Sequence, residues 1–341
     1  MRQKKKMKNH PKKSIPPCHE LAYWMSHLPE CLWTIPLSNL SLPGSHDAMT
    51  YSFDKTSTVS VNESKLLELM DKHLHCIIHP IILRWCITQE LTVLEQLDAG
   101  IRYFDFRIAH KPDDPSMTFH FVHMLYTTAV VEDVLWDILR WLKAHPCEVI
   151  ILAFRNFDGL EKDHHHHLVS CIKQIFSGRL CPRNDYMIPT LQRMWANGYQ
   201  VIVSYEDIAQ VAEHSELWPE VPYWWGNKTT AKKLIQYLEL MKRGGRPDGL
   251  FVAGINLTGD LGYILAHLHY SVKKMTLRAL PCLNRWIKKQ RPGAEKDCIN
   301  IIAGDFIGRN NFVTNVICLN ETLIPKEHCS NMLPLLSFRK A

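Results

Sequence analysis

The sequence predicts an α/β protein built as a closed or nearly closed β/α barrel in one domain. Three observations predict it. Seven short apolar runs rich in β-branched and aromatic residues recur at Leu37–Leu42, Ile101–Ala109, Phe119–Met124, Val149–Phe154, Val201–Tyr205, Leu250–Ile255 and Ile299–Phe306. Longer stretches of helical periodicity separate most of them. Each run is largely continuous rather than alternating, the pattern of parallel strands covered by helices. No Gly-x-Gly-x-x-Gly follows the first run, which argues against a doubly wound open sheet.

The elements follow in order. Leu21–Leu28 reads as a short helix stopped by Pro29. The first strand runs into Pro43-Gly44-Ser45-His46-Asp47. Helices are predicted over Glu63–Met70 and Thr88–Leu97. The second strand carries Asp105 and Arg107, two apart and so on one side, with Phe104 and Phe106 facing the helices. The third carries His120 and His123, which are three apart, so only one can face inward along an extended strand. Val131–Ala144 is the clearest helix, with Val131, Val134, Leu135, Ile138 and Leu142 at helical spacing and His145-Pro146 as its stop. The run His164–His167 falls on another helix and reads as a solvated face, because adjacent histidines point in different directions around it. Thr230–Lys242 and Ile264–Leu280 complete the helices, with Pro281 closing the last. The final strand contributes Gly304-Asp305. The barrel spans about residues 20 to 325, with a basic disordered tail at 1–19 and a C-terminal tail at 326–341.

Charge separates the tail from the body. Seven of the first thirteen residues are Lys or Arg and none is acidic, whereas the whole chain is only +6, so the body is near neutral. Such a block is a solvated arm or a contact for anionic lipid, where each cation contributes about 1 kcal/mol. Nucleic acid is excluded as a partner, since no groove-reading helix or stacking motif follows. No apolar stretch after the lysines suits a secretory signal. The best apolar candidate for a membrane span, Cys76–Arg84, is short and interrupted by His79, Pro80 and Arg84. Eleven scattered cysteines without a Cys-x-x-Cys pair suit reduced thiols in a cytoplasmic protein.

In a β/α barrel, chemistry collects at the C-terminal ends of strands. Four polar clusters stand at such positions: Ser45-His46-Asp47, Asp105 with Arg107, His120 to His123, and Gly304-Asp305. Each alone has a structural reading, as a turn, an ion pair, a core histidine or an isolated acid. Together, at the ends of four different predicted strands, they read as one site.

These residues sit in LSLPGSHDAMTY (Leu40–Tyr51), QLDAGIRYFDFRIAH (Gln96–His110), FHFVHMLYTT (Phe119–Thr128), EVIILAFRNFDG (Glu148–Gly159) and NIIAGDFIG (Asn300–Gly308). Over roughly residues 20 to 325 the chain resembles the X-domain family of phosphatidylinositol-specific phospholipases C, and within it the small X-domain-only proteins of animals. The resemblance implies a distorted TIM-type barrel and an inositol phospholipid as substrate at a membrane surface. It implies His46 as general base, oriented by Asp305, and His123 as general acid, supported by Asp105, with Asp47 close to the leaving oxygen. The products would be diacylglycerol and an inositol phosphate, initially cyclic.

Arg107 bears on the metal. The calcium-dependent relatives have a carboxylate on this strand where Arg107 stands, and another on a later strand near Arg155. Calcium takes six to eight oxygen ligands, so cations at these positions imply catalysis without metal or other cofactor, with Arg107 stabilising charge on the phosphoryl oxygens. Two features depart from the family. Met124 stands where Gly commonly follows the second histidine, which narrows the approach to the phosphate. No arginine near Val203–Tyr205 matches the bacterial inositol-binding one, leaving Arg155 and Tyr205 as head-group candidates. The alternative reading is a phosphoinositide-binding pseudoenzyme. A metal-dependent glycerophosphodiesterase lacks its His-Arg-Gly and Glu-x-Asp here.

Overall fold

The computed structural model describes residues 21–325 apart from 61, 113 and 184–187. Both predicted tails lie outside these residues. Among the described residues ten strands are formed: β1 (Leu42–Ser45), β2 (Tyr103–His110), β3 (Phe119–His123), β4 (Leu125–Val130), β5 (Ile150–Asp158), β6 (Val201–Tyr205), β7 (Leu217–Trp218), β8 (Tyr223–Trp224), β9 (Val252–Gly254) and β10 (Ile301–Gly304). Eight of them pair in parallel in the order β7-β6-β5-β2-β1-β10-β9-β8. The sheet curls into a distorted TIM-type barrel whose end strands, β7 and β8, are two residues each. Five long helices accompany it: α1 (Lys65–Cys86), α2 (Val131–Ala144), α3 (Lys162–Ile175), α4 (Ala231–Gly244) and α5 (Val272–Ile287).

The strand interiors are Val, Ile, Leu, Ala and Phe because both faces are covered. Ile151, Leu152, Ile202, Val203, Ile301 and Ile302 are buried in one continuous core. Gly44 is required where β1 meets both neighbours, since a Cβ there would lie 3.0 Å from Ala303 and Tyr103.

Several expectations need correction. The first strand is not Leu37–Leu42 but β1; Leu37–Asn39 forms a 3-10 turn instead. The third apolar run is not a barrel strand. β3 and β4 form an antiparallel hairpin laid against the outer end of β2, so His123 reaches the site from an insertion. The short strands β7 and β8 carried too few residues to be read from pattern. The predicted helix Thr88–Leu97 begins only at Val93, where Thr92 makes a capping box with Glu95.

Pro281, predicted as a stop, lies inside a helix, and so does Pro80. α1 continues through Pro80 to Cys86, and α5 starts at Val272 and passes through Pro281 to Ile287. An interior proline costs about 3 kcal/mol. The buried stripe Val272, Met275, Ala279, Leu283, Trp286 and Ile287 of α5 outweighs that cost, since burying each large apolar side chain contributes about 1.5–3 kcal/mol. Nor is the histidine run wholly solvated. His165 on α3 is buried, and its Nδ1 lies 2.8 Å from the Tyr205 hydroxyl.

At the N-terminal face of the barrel, Arg102 is fully buried and all five of its N–H donors are used. Nε and Nη2 meet Glu148 Oε2 at 3.0 and 2.7 Å, Nη1 meets the Leu97 and Ile101 carbonyls, and Nη2 also meets that of Ala22. Glu148 also accepts from the backbone N–H groups of Met25 and Ser26. This face holds the fold, and the opposite face gathers the reactive side chains.

Candidate active site

Register decides which side chains meet. Ser45 pairs with Gly304 and Arg107 with Arg155, so His46, Asp305, Arg107 and Arg155 all emerge at one end of the sheet. Asn256, just past the end of β9, joins them from the other side of β10. The turn after β1 is tight, with Asp47 in the left-handed region at φ 42°. It is held from beneath. The Gln89 side-chain amide donates to the His46 and Gly304 carbonyls, both at 2.9 Å, and the Thr88 hydroxyl reaches the carbonyls of His46 and Asp47.

His46 Nδ1 lies 2.8 Å from Asp305 Oδ1. Its Nε2 faces Arg107 Nη2 at 3.2 Å and Asn256 Nδ2 at 3.4 Å. Asn256 is oriented by Tyr223, whose hydroxyl donates to Oδ1 at 2.9 Å, so the amide must present its N–H to the imidazole. With the carboxylate on one nitrogen and donors on the other, the neutral ring carries its proton on Nδ1 and a lone pair on Nε2. Gly254 makes room for this pair, because a Cβ there would collide with both Tyr223 and Asn256.

His123 stands opposite, its ring 6.5 Å from that of His46 between centroids. Its Nδ1 lies 2.9 Å from the carbonyl of Cys86 at the end of α1. Both Nε2 atoms approach one oxygen, Asp47 Oδ2, at 3.3 Å from His46 and 3.4 Å from His123. Arg107 Nε closes an ion pair with the other oxygen of Asp47. Asp105 lies 3.8 Å from Arg107 and 4.0 Å from Arg155, and accepts from the Asp47 backbone N–H.

Burial would lower the His46 pKa, but Asp47 and Asp305 outweigh it and hold the ring above its ordinary value. Burial lowers His123, and Asp47 only partly compensates. Burial would raise Asp47, yet Arg107 and the two imidazoles bring it down to about 2, so it stays ionised. The resting site therefore keeps its proton on His46 rather than His123.

The structure brings together His46, Asp47, Asp105, Arg107, His123 and Asp305. It places Arg155 at the rim, paired with Glu220 at 2.7 Å and over the Tyr223 ring. It does not bring Tyr205 there. That side chain is buried between Phe154, Phe157 and His165. Nor does the carboxylate beside His123 match expectation, since it is Asp47, while Asp105 faces the two arginines. Met124 packs with the side cluster of Val59, Ile82, Cys86 and Leu125, at φ 62° where glycine is unstrained. It therefore tightens the hairpin turn instead of narrowing the pocket. Asn256 and Tyr223 were missed. Asn256 follows directly on a predicted strand, a usable signal; Tyr223 had none.

A calcium ion does not fit these residues. His46, Asp47 and Asp105 bring ligand atoms within 4.8 Å of one another, but the two carboxylates are already neutralised by Arg107 and Arg155. Among the described residues, six to eight oxygen ligands are not at hand.

The family model described as PI-PLC X 1 matches residues 84–236, a segment that holds Asp105, Arg107, His123 and Arg155. PI-PLC X domain-containing protein 1 of Homo sapiens is 56% identical over 301 residues, covering 88% of this chain and 93% of that protein. Its counterpart in Mus musculus is 49% identical, covering 90% and 89%. The phosphatidylinositol-specific phospholipase C of Listeria monocytogenes has a TM-score of 0.61 at 20% identity, covering 87% and 97% of the two chains. That of Staphylococcus aureus has a TM-score of 0.61 at 16% identity, covering 87% and 96%. At those identities the solved structures show the fold.

Proposed function

The chain belongs to the PI-PLC X domain family, and from that premise we propose that it cleaves an inositol phospholipid by metal-free histidine chemistry. The observation that carries this reading is the pair of imidazoles whose rings stand 6.5 Å apart with Arg107 against His46. His46 Nε2 takes the proton of the inositol 2-hydroxyl, whose oxygen attacks phosphorus. His123 protonates the diacylglycerol oxygen as its bond to phosphorus breaks. Diacylglycerol and inositol cyclic phosphate leave, and the proton has passed from the 2-hydroxyl side to the leaving-group side. Asp305 fixes the His46 tautomer, and Asp47 supports His123. Arg107 shifts from Asp47 towards the phosphoryl oxygens as charge grows there.

Substrate of this kind lies in a bilayer, so the protein acts at a membrane surface, with its basic tail as a contact for anionic lipid. No helix among the described residues is long and apolar enough to cross a membrane. The buried Cys86, Cys181 and Cys298 are free thiols, in keeping with a cytoplasmic protein bound peripherally.

Replacing Arg107 with alanine is expected to lower kcat on phosphatidylinositol vesicles by about 10²–10³-fold, with wild-type rates unchanged by a calcium-selective chelator. A rate abolished by chelator and restored by calcium would refute the metal-free reading.

Catalysis needs His46 neutral and His123 protonated, the reverse of their resting preference, so a minor fraction is competent at any pH. The profile of kcat/KM is expected to fall below the lower pKa, that of His123, and above the higher, that of His46. Asp305→Asn removes a charge that holds His46 up. Its upper limb should move to lower pH, and further than the lower limb moves; an unmoved upper limb contradicts the assignment.

One observation favours a second reading, binding without turnover. Asp47 already occupies Arg107 and stands between the imidazoles. On that reading the histidine variants would change no rate.

A further inference from the structure

A second cluster of metal-type side chains lies on α1. Asp71, His75 and His79 each bring one ligand atom to within 4.8 Å of the others. An unbroken helix does not do this, because residues eight apart are separated by about 12 Å along its axis. Leu74 interrupts α1 with φ −125° and ψ 32°, and Pro80 removes a further backbone bond. The bend folds His79 back onto Asp71.

The distances separate a ligand set from ordinary hydrogen bonding. His75 Nδ1 and His79 Nδ1 lie 3.4 and 3.2 Å from the same oxygen, Asp71 Oδ1. Charge-assisted N–H···O bonds close to about 2.7–2.9 Å, so both are long. The edge of a tetrahedron with zinc–nitrogen and zinc–oxygen bonds of about 2.0–2.2 Å is about 3.3–3.5 Å, and both distances lie at or close to that range. Asp71 and His79 are buried, while the His75 side chain is 53% exposed, which gives a dry base and a side open to water.

We propose that Asp71, His75 and His79 bind a divalent transition-metal ion of the imidazole-preferring class, zinc foremost, with water as fourth ligand. The ion joins the two halves of α1 across the break at Leu74. α1 ends at Cys86, whose carbonyl holds His123, so the metal stiffens the support of that ring without entering the reaction. The inference rests on α1 alone and not on the proposed function.

The test uses the full chain, stripped by chelator and titrated with zinc or with cobalt, whose visible absorption reports tetrahedral nitrogen–oxygen ligation. One ion per chain is expected to remain bound, with a zinc-dependent rise in Tm. His75→Ala, an exposed change that leaves the fold intact, should weaken binding at least tenfold and abolish the Tm shift. His46→Ala should leave both unchanged, separating this site from the group around His46. Zinc binding equal in wild type and His75→Ala, or no retained zinc, would overturn the proposal.

Discussion

Replacing His46 by alanine is expected to lower kcat on phosphatidylinositol vesicles by about 10²–10⁴-fold, and His123→Ala should do the same. The two losses have different origins. Without His46 the 2-hydroxyl keeps its proton and Asp305 loses its partner at 2.8 Å. Without His123 the diacylglycerol oxygen departs as an alkoxide. Leaving-group chemistry distinguishes them: a substrate whose leaving group is a weak base, such as a nitrophenol, needs no acid. It should restore much of the rate in His123→Ala and none in His46→Ala. Stopped-assay rates with both substrates check this. Equal rescue of the two variants would mean that the roles are not divided as described.

The largest expected effect on stability lies at the other end of the barrel. Glu148→Ala leaves Arg102 charged, fully buried and without its carboxylate, in a site closed by Trp24 and Trp141. Breaking a buried pair from one side costs about 3–5 kcal/mol. The change also strips acceptors from the backbone N–H groups of Met25 and Ser26, so the segment Leu21–Leu28 should come loose with it. Urea denaturation should show a lower midpoint for Glu148→Ala, with Ser26→Ala losing only about 1 kcal/mol. A Glu148→Ala midpoint equal to wild type would show that the pair contributes nothing to holding this face.

Much of the fold was legible because parallel strands buried on both faces must be continuous apolar runs, and β5, β6 and β10 are. The hairpin β3–β4 was not legible as such. Phe119 to His123 has the composition of a barrel strand, and only the return of Leu125–Val130 beside it reveals an insertion. Pro281 misled for a different reason. A proline's local cost is visible in sequence, but the tertiary burial that overrides it is not. At the site, the period of two along β2 placed Asp105 and Arg107 together, and the spacing of three in β3 left one histidine to face inward. Which carboxylate would stand beside His123 depended on the left-handed turn at Asp47, a backbone state that its sequence does not announce. Tyr205 failed through direction. A strand residue at a promising end can face the helices, and this one meets His165.

The most direct test is phosphorus NMR of the products formed from phosphatidylinositol vesicles by the full chain in excess chelator. Metal-free histidine catalysis predicts the resonance of a five-membered inositol cyclic phosphate appearing with wild type and not with His46→Ala. No cyclic product from wild type, or the same product at the same rate from His46→Ala, would contradict it.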